Sequence, residues 1–265
     1  MSKPPVCLTI AGLDPSGGAG IIADIKTFTA FGCFAAAAVS SITFQNTVGV
    51  FGAEHQSAES LRRQVEPIID DYEIAALKTG MLPTQEVIEE TAVLIGRMGR
   101  ARFVVDPVVR STSGFDLIDD DALRSLIKVL FPISELVTPN RPEAERITGL
   151  KLETRADVVA AAKAMRSMGA KNVLIKGGHP GEDAVGTRKA VDHLFIGDEL
   201  HTYEADFIET TATHGTGCTL AAAITANLAL GRSLVDAVGI AKKFVTEAIR
   251  SAPMLGHGHS PINIS

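Results

Sequence analysis

The sequence predicts an α/β fold, with a mostly parallel central sheet covered by helices on both faces. Three observations carry this expectation. Short, continuously apolar runs such as Val6-Cys7-Leu8-Thr9-Ile10-Ala11 and Phe103-Val104-Val105 have the length of strands buried on both sides. Longer segments with helical spacing separate them, as in Ile21, Ile22, Ile25 and Phe28. The two kinds alternate, which is the pattern of parallel strands joined by helical crossovers. No proline-, serine- or charge-rich linker, internal repeat or low-complexity tract divides the 265 residues, so a single domain over 1–265 is expected.

The elements follow in order. A buried strand over 6–11 ends at Gly12, and the glycine-rich stretch Gly12-Leu13-Asp14-Pro15-Ser16-Gly17-Gly18-Ala19-Gly20 leads into a helix over 20–31. A strand at 34–44, a helix at 57–70 and a strand at 74–79 come next. The alternation continues with a helix at 84–98, a strand at 102–106, a helix at 119–131 and a strand at 134–138. Helices near 142–148 and 155–168 precede a strand at 172–176. Two strands within 189–205 read as a hairpin around Gly197-Asp198. Helices near 216–230 and 234–250 complete the pattern. From Ala252 the chain is rich in Gly, His and Pro and reads as loop, with His257 and His259 exposed to solvent.

Composition removes several function classes. A hydrophobic content of 46% supports a substantial core. The net charge of −6 offers no polyanion-binding surface, which argues against nucleic acid. The 3 cysteines, Cys7, Cys33 and Cys218, lie far apart without CxxC spacing, so neither a disulfide framework nor a cysteine-rich zinc site is expected. The apolar run after Met1-Ser2-Lys3-Pro4-Pro5 is too short for a signal peptide or a membrane span. A reducing cytoplasm, with no membrane partner, fits best.

In open α/β sheets ligands bind beyond the carboxyl ends of the strands, and the unusual residues of this chain fall there. The stretch from Gly12 to Gly20 permits close backbone approach to a ligand, although it is neither a Walker A loop nor a GxGxxG motif. Asp24, one helical turn on, could face the same pocket or be a solvated surface residue. Gln45-Asn46 ends the second strand; two amides there can read the edge of a heteroaromatic ring, or serve turn chemistry. Met81 after Lys78-Thr79-Gly80 can pack on a flat ring or fill core. Asp106-Pro107 ends another strand with a carboxylate suited to a metal or hydroxyl. In Asn140-Arg141-Pro142-Glu143, Asn140 and Glu143 suit the first turn of a helix and equally suit a Mg²⁺–water site. Lys176-Gly177-Gly178-His179 puts a lysine at a buried strand end, where it can meet a phosphate. His179 and His214 read as hydrogen-bonding loop residues.

The most informative stretch is Thr213-His214-Gly215-Thr216-Gly217-Cys218, entering the apolar run Thr219-Leu220-Ala221-Ala222-Ala223-Ile224. A helix N-terminus presents free N–H groups and about half a positive charge, which favours an anion and a thiolate. The same residues also fit a glycine loop before a buried helix, with Cys218 as a small core residue.

Together these motifs resemble a known family. Asn140-Arg141-Pro142-Glu143 resembles the NxxE magnesium motif of the ribokinase superfamily. Gly215-Thr216-Gly217-Cys218 resembles its GxGD anion hole, with cysteine in place of the usual aspartate. That cysteine, with Gly12–Gly20, Lys176-Gly177-Gly178-His179 and the order of motifs from about residue 6 to 250, resembles the hydroxymethylpyrimidine (phosphate) kinases of thiamine biosynthesis. The resemblance implies a ribokinase-like three-layer fold. It also implies an ATP- and Mg²⁺-dependent kinase acting on 4-amino-5-hydroxymethyl-2-methylpyrimidine and its monophosphate.

By matching positions the resemblance implies Gln45 on the pyrimidine edge, Gly12, Met81 and Val108 around the ring, and Asp24 on the substrate side. It implies Lys176 and Thr216 at the ATP phosphates, Lys242 near the nucleotide, and Asn140 and Glu143 organising magnesium. Cys218 is then the base for the substrate hydroxyl, and the amides from Gly215 to Cys218 can stabilise the developing charge. The helix end lowers the Cys218 pKa and abutting phosphates raise it, a balance the sequence leaves open. A homodimer is also implied. Pyridoxal kinase activity, alone or as dual specificity, is the nearest alternative, and Gln45 with Met81 favours the pyrimidine. A cysteine hydrolase pairing Cys218 with His214 or His179, and a non-catalytic binder, are the other classes. Ser111-Thr112-Ser113 and Gly114 would permit a mobile lid near 110–118.

Overall fold

The computed structural model describes residues 3–109, 116–177 and 188–264. Among the described residues nine strands form one sheet: β1 (Val6–Leu13), β2 (Phe34–Gln45), β3 (Val50–His55), β4 (Ile74–Thr79), β5 (Arg102–Val105), β6 (Leu136–Val137), β7 (Asn172–Ile175), β8 (Lys189–Ile196) and β9 (Glu199–Asp206). The spatial order is β3-β2-β1-β4-β5-β6-β7-β8-β9. Pairings from β2 through β1, β4, β5 and β6 to β7 are parallel, whereas β3, β8 and β9 join antiparallel.

Among the described residues eight helices cover it: α1 (Gly20–Ala30), α2 (Ala58–Asp71), α3 (Gln85–Gly96), α4 (Asp120–Val129), α5 (Arg141–Thr148), α6 (Arg155–Ser167), α7 (Thr216–Ala229) and α8 (Leu234–Arg250). Strand side chains alternate between the two faces. Phe103, Val105, Val137, Val173 and Ile175 pack in the large core with α2 through α6. Their neighbours Val104, Leu136 and Leu174 pack against α7 and α8. Cys7 and Phe28 meet Ala222 and Ala226, which seats α1 beside α7. Helix α7 is buried along its length, from Thr219 to Leu228, and its alanines let it lie close on the middle of the sheet.

The α/β class and the 189–205 hairpin agree with expectation; the strands are β8 and β9. Strand β3 lies in a stretch read as connection. Val50-Phe51-Gly52-Ala53-Glu54-His55 carries a glycine and two polar residues, and as an antiparallel edge strand it needs no continuous apolar run. Strand β6 has only two residues rather than 134–138, because Ser134 is still bonded back to the end of α4 through Leu130 O. No helix among the described residues is long and apolar enough to cross a membrane.

Candidate active site

The carboxyl ends of the parallel strands open onto one cavity of about 640 Å³. Its end beside β2, β1 and β4 is lined by Gly12, Thr43, Gln45, Gly80 and Met81. Gly12, next to last in β1, packs directly on Met81: a Cβ on it would stand 3.2 Å from Met81 Sδ, so glycine allows the two to sit side by side on the wall. Met81 is itself anchored through its carbonyl, which accepts from Ser40 Oγ at 2.5 Å. Gln45 at the end of β2 and Val108 after β5 complete this wall.

Asp24 does not reach the cavity. It is fully buried behind it, where both its oxygens lie 2.9 Å from Lys78 Nζ and Thr9 Oγ1 donates to Oδ2 at 2.6 Å. In place of a direct contact with a bound ring, Asp24 supports Lys78, which borders the cavity while its own side chain is fully buried. Burial works against the Lys78 cation, but Asp24, Cys218 and Asp106 outweigh it and hold the lysine protonated. A lysine inside the apolar strand Ala76-Leu77-Lys78-Thr79 is the signal that sequence reading passed over.

The centre of the cavity is the N-terminus of α7. Gly215 is its N-cap at φ 82°, and no side chain caps the helix. A Cβ on Gly215 would sit 1.9 Å from Gly18 O, so the Gly12–Gly20 loop and the α7 entry touch backbone to backbone. That loop offers fewer amides to a ligand than expected, because Asp14 takes them. Its carboxylate accepts from Ser16 N at 2.8 Å, Gly18 N at 3.2 Å and Ala19 N at 2.8 Å, and bonds His214 Nε2 at 2.7 Å. Burial opposes this charge, but the bonds from His214 and Ser16 hold Asp14 below its usual range. The loop is thus a brace for the α7 entry. His214 is committed to Asp14, which argues against its pairing with Cys218; His179, the other partner considered, lies outside the described residues, as do 110–115 of the lid segment.

Cys218 stands in the first turn of α7 and lines the cavity. The expectation of a thiolate is not met in the ligand-free protein. Burial pushes the thiol up to about 11, against the pull of Lys78 and of the Gly20 N–H, which bonds the sulfur. Desolvation outweighs the helix end here.

The other end of the cavity is charged. Lys176 Nζ lies 2.8 Å from Asp106 Oδ1 and 3.9 Å from Glu143 Oε2. Thr138 Oγ1 donates to Asp106 at 3.0 Å. Gly217 has room for no side chain beyond hydrogen without crowding Lys176, whose Nζ would be 3.3 Å from a Cβ. Asn140 and Glu143 form a reciprocal capping box: Asn140 Oδ1 accepts from Glu143 N at 2.8 Å, and Glu143 Oε2 accepts from Asn140 N at 2.7 Å. Burial, with Asp106 adding to it, pushes the Glu143 carboxyl up to about 7. Farther on, Asp192 accepts from Gly177 N and from Lys242 Nζ, both at 2.8 Å, and Lys242 and Thr216 line the cavity.

The tail departs from expectation as well. His257 is exposed, but His259 is half-buried on the cavity wall.

The model of the phosphomethylpyrimidine kinase family matches residues 14–263. A hydroxymethylpyrimidine/phosphomethylpyrimidine kinase of Bacillus subtilis is 43% identical over 256 residues, 97% of this chain and 93% of that protein. Among solved structures, pyridoxal kinase from Staphylococcus aureus in complex with AMP-PCP superposes with a TM-score of 0.89 at 32% identity, covering 99% of this chain and 94% of that one. Phosphomethylpyrimidine kinase from Clostridium difficile gives 0.79 at 40% identity, covering 92% and 99%. With its strand-end cavity, its uncapped α7 entry and these matches, the chain belongs to the phosphomethylpyrimidine kinase family, the hydroxymethylpyrimidine and phosphomethylpyrimidine kinases of thiamine biosynthesis.

Proposed function

We propose that this chain transfers the γ-phosphoryl group of ATP to the hydroxyl of 4-amino-5-hydroxymethyl-2-methylpyrimidine, and then a second one to the resulting monophosphate. The observation that carries the reading is the layout along the sheet: a pocket end lined by Gly12, Gln45 and Met81 at β2-β1-β4, a carboxylate–lysine cluster at β5-β6-β7, and the free amides of α7 between them. Transfer of this kind needs positioning and charge stabilisation more than covalent chemistry. Gly12, Met81 and Val108 line the ring pocket, and Gln45 reads the ring's edge. The amides of Thr216, Gly217 and Cys218 receive charge developing on the transferred group, while Lys176 meets the phosphates. Cys218 Sγ, after giving its own proton to solvent, takes the hydroxyl proton as thiolate while transfer proceeds.

Binding of AMP-PCP by the Staphylococcus aureus pyridoxal kinase supports ATP as the donor. The charged end fits magnesium: Asp106 and Glu143 are buried hard-oxygen donors balanced in the described residues by Lys176. Mg²⁺ is held by few protein oxygens, keeps several waters and shares phosphate oxygens, so two buried carboxylates are enough protein donors for it. Glu143 and Asp106 would hold the ion, with Asn140 positioning Glu143 through the capping box. Bound there, the ion would neutralise charge on the donor phosphates. Glu143→Gln is expected to raise the magnesium concentration for half-maximal rate by about tenfold, the size of one lost charged contact; an unchanged titration would remove Glu143 from the metal site.

Gln45→Ala is expected to raise KM for the pyrimidine about tenfold with KM for ATP within twofold, as befits one lost ring contact. Equal losses on both ligands would make Gln45 structural. The deciding experiment is ADP release from Mg·ATP with hydroxymethylpyrimidine, its monophosphate and pyridoxal in parallel. Turnover on both pyrimidines supports the proposal, and activity on none of the three refutes it. The 0.89 superposition on a pyridoxal kinase favours a second reading, dual specificity, which strong turnover on pyridoxal would establish. The proposal includes a cytoplasmic homodimer associating through the β2–β3 edge, where Ile42, Phe44, Val48 and Phe51 are exposed; sedimentation at monomer mass would refute the dimer.

A further inference from the structure

The segment after α8 does not trail into solvent. Asn263 N bonds Ala248 O, His214 N bonds Ser260 O, Ser260 N bonds Thr211 O, and His259 N bonds Thr47 O at 2.7 Å. These bonds tie the end of α8, the entry to α7 and the turn after β2 into one strap. Its glycines are required for the fit. A Cβ on Gly256 would stand 2.2 Å from Thr47 Oγ1, and one on Gly258 would stand 2.1 Å from Thr47 O. The strap is therefore seated on Thr47, two residues past Gln45.

His259 is the strap residue turned to the cavity. Its Nδ1 lies 3.0 Å from Thr213 Oγ1. In the tautomer whose Nδ1 accepts from that hydroxyl, the ring's N–H is on Nε2, and the residue lines the cavity. The other basic groups on the wall are mostly committed. Lys78, Lys176, Lys242 and His214 each bond a carboxylate within 2.9 Å. Among the described residues, Arg141 and His259 line the cavity without a carboxylate partner. Arg141 follows β6, four strands from β2, which is roughly 19 Å at the usual strand spacing. Only His259 stands at the acceptor end.

We propose that His259, held by the C-terminal strap, is a specificity-determining contact for a phosphorylated acceptor: it donates to the monoester phosphate of the pyrimidine and contributes little to binding of the neutral alcohol. This rests on the two-step reading above. A monoester phosphate carries close to two negative charges near neutrality, whereas the hydroxymethyl group is neutral, so one added donor bears on the second acceptor much more than on the first.

The test is calorimetric titration of the ATP-free protein with each pyrimidine, followed by steady-state rates with Mg·ATP. In His259→Ala, affinity for the monophosphate is expected to fall about tenfold or more, the size of one hydrogen bond to a charged group. Affinity for the alcohol should stay within twofold, and KM for ATP should not move. His259→Gln, which keeps a donor, should recover part of the loss. Gly258→Val, which unseats the strap at Thr47, should reproduce it if the variant melts as the wild type does. Equal losses on both acceptors, or none on the monophosphate, would overturn the assignment while leaving the kinase reading intact. Wild-type protein that binds neither pyrimidine would bring down both.

Discussion

Cys218→Ala is expected to slow phosphorylation of the hydroxymethyl group by about 100-fold or more, the lower range for loss of a proton acceptor, with KM for ATP nearly unchanged. The second step should suffer far less. An alcohol must lose a proton as it attacks, whereas a phosphate monoester is already ionised near neutrality. The two acceptors therefore separate the base from the cradle around it. Equal losses on both would reassign Cys218 to structure, through the Gly20 N–H that bonds its sulfur. The pH dependence follows from the same burial. With the thiol pushed up to about 11, alkylation of Cys218 in the ligand-free protein should rise about tenfold per pH unit from neutrality upward. If thiolate takes the proton, kcat/KM for the alcohol should climb in parallel and flatten in Cys218→Ala. A rate plateau below pH 7 would rule that out.

Asp24→Ala is expected to cost about 3–5 kcal/mol of stability, because it strands the Lys78 ammonium in a dry site. For a chain of this size that corresponds to a fall of about 10 °C in Tm. Lys78 and Asp24 are both fully inaccessible to solvent, and the pair is 2.9 Å apart. Removing both charges in Asp24→Leu/Lys78→Met should recover much of the loss, since a buried ion pair contributes little beyond a well-packed apolar pair of similar volume. Chemical denaturation of the two single variants and the double gives the coupling directly. Single variants within about 1 kcal/mol of wild type would mean that water reaches Lys78.

Much of the site was legible because each residue ends a strand or begins a helix. Gln45, Met81, Asp106, Asn140, Glu143, Lys176 and Cys218 follow apolar runs at positions where an α/β sheet exposes its ligand edge. The residues that escaped are those whose role depends on a distant partner. Lys78 sits inside a strand, and its meaning comes from Asp24, 54 positions away. Asp14 resembles an ordinary turn residue until His214, 200 positions on, closes against it. His259 belongs to a segment whose Gly, Pro and His content signals loop, and only the seating of Gly256 and Gly258 on Thr47 brings it to the cavity.

The sequence by itself determined the alternation of strands and helices, the edge of the sheet where ligands bind, and the residue types gathered there. Periodicity and local turn chemistry depend on near neighbours, so they can be read along the chain. Tertiary structure alone decided the protonation of Cys218, the commitment of Asp24 to Lys78, the bracing of the glycine loop by Asp14, and the seating of the strap on Thr47. Each of these depends on burial and on contacts between segments far apart in the chain, and desolvation exists only once those segments have closed around the group.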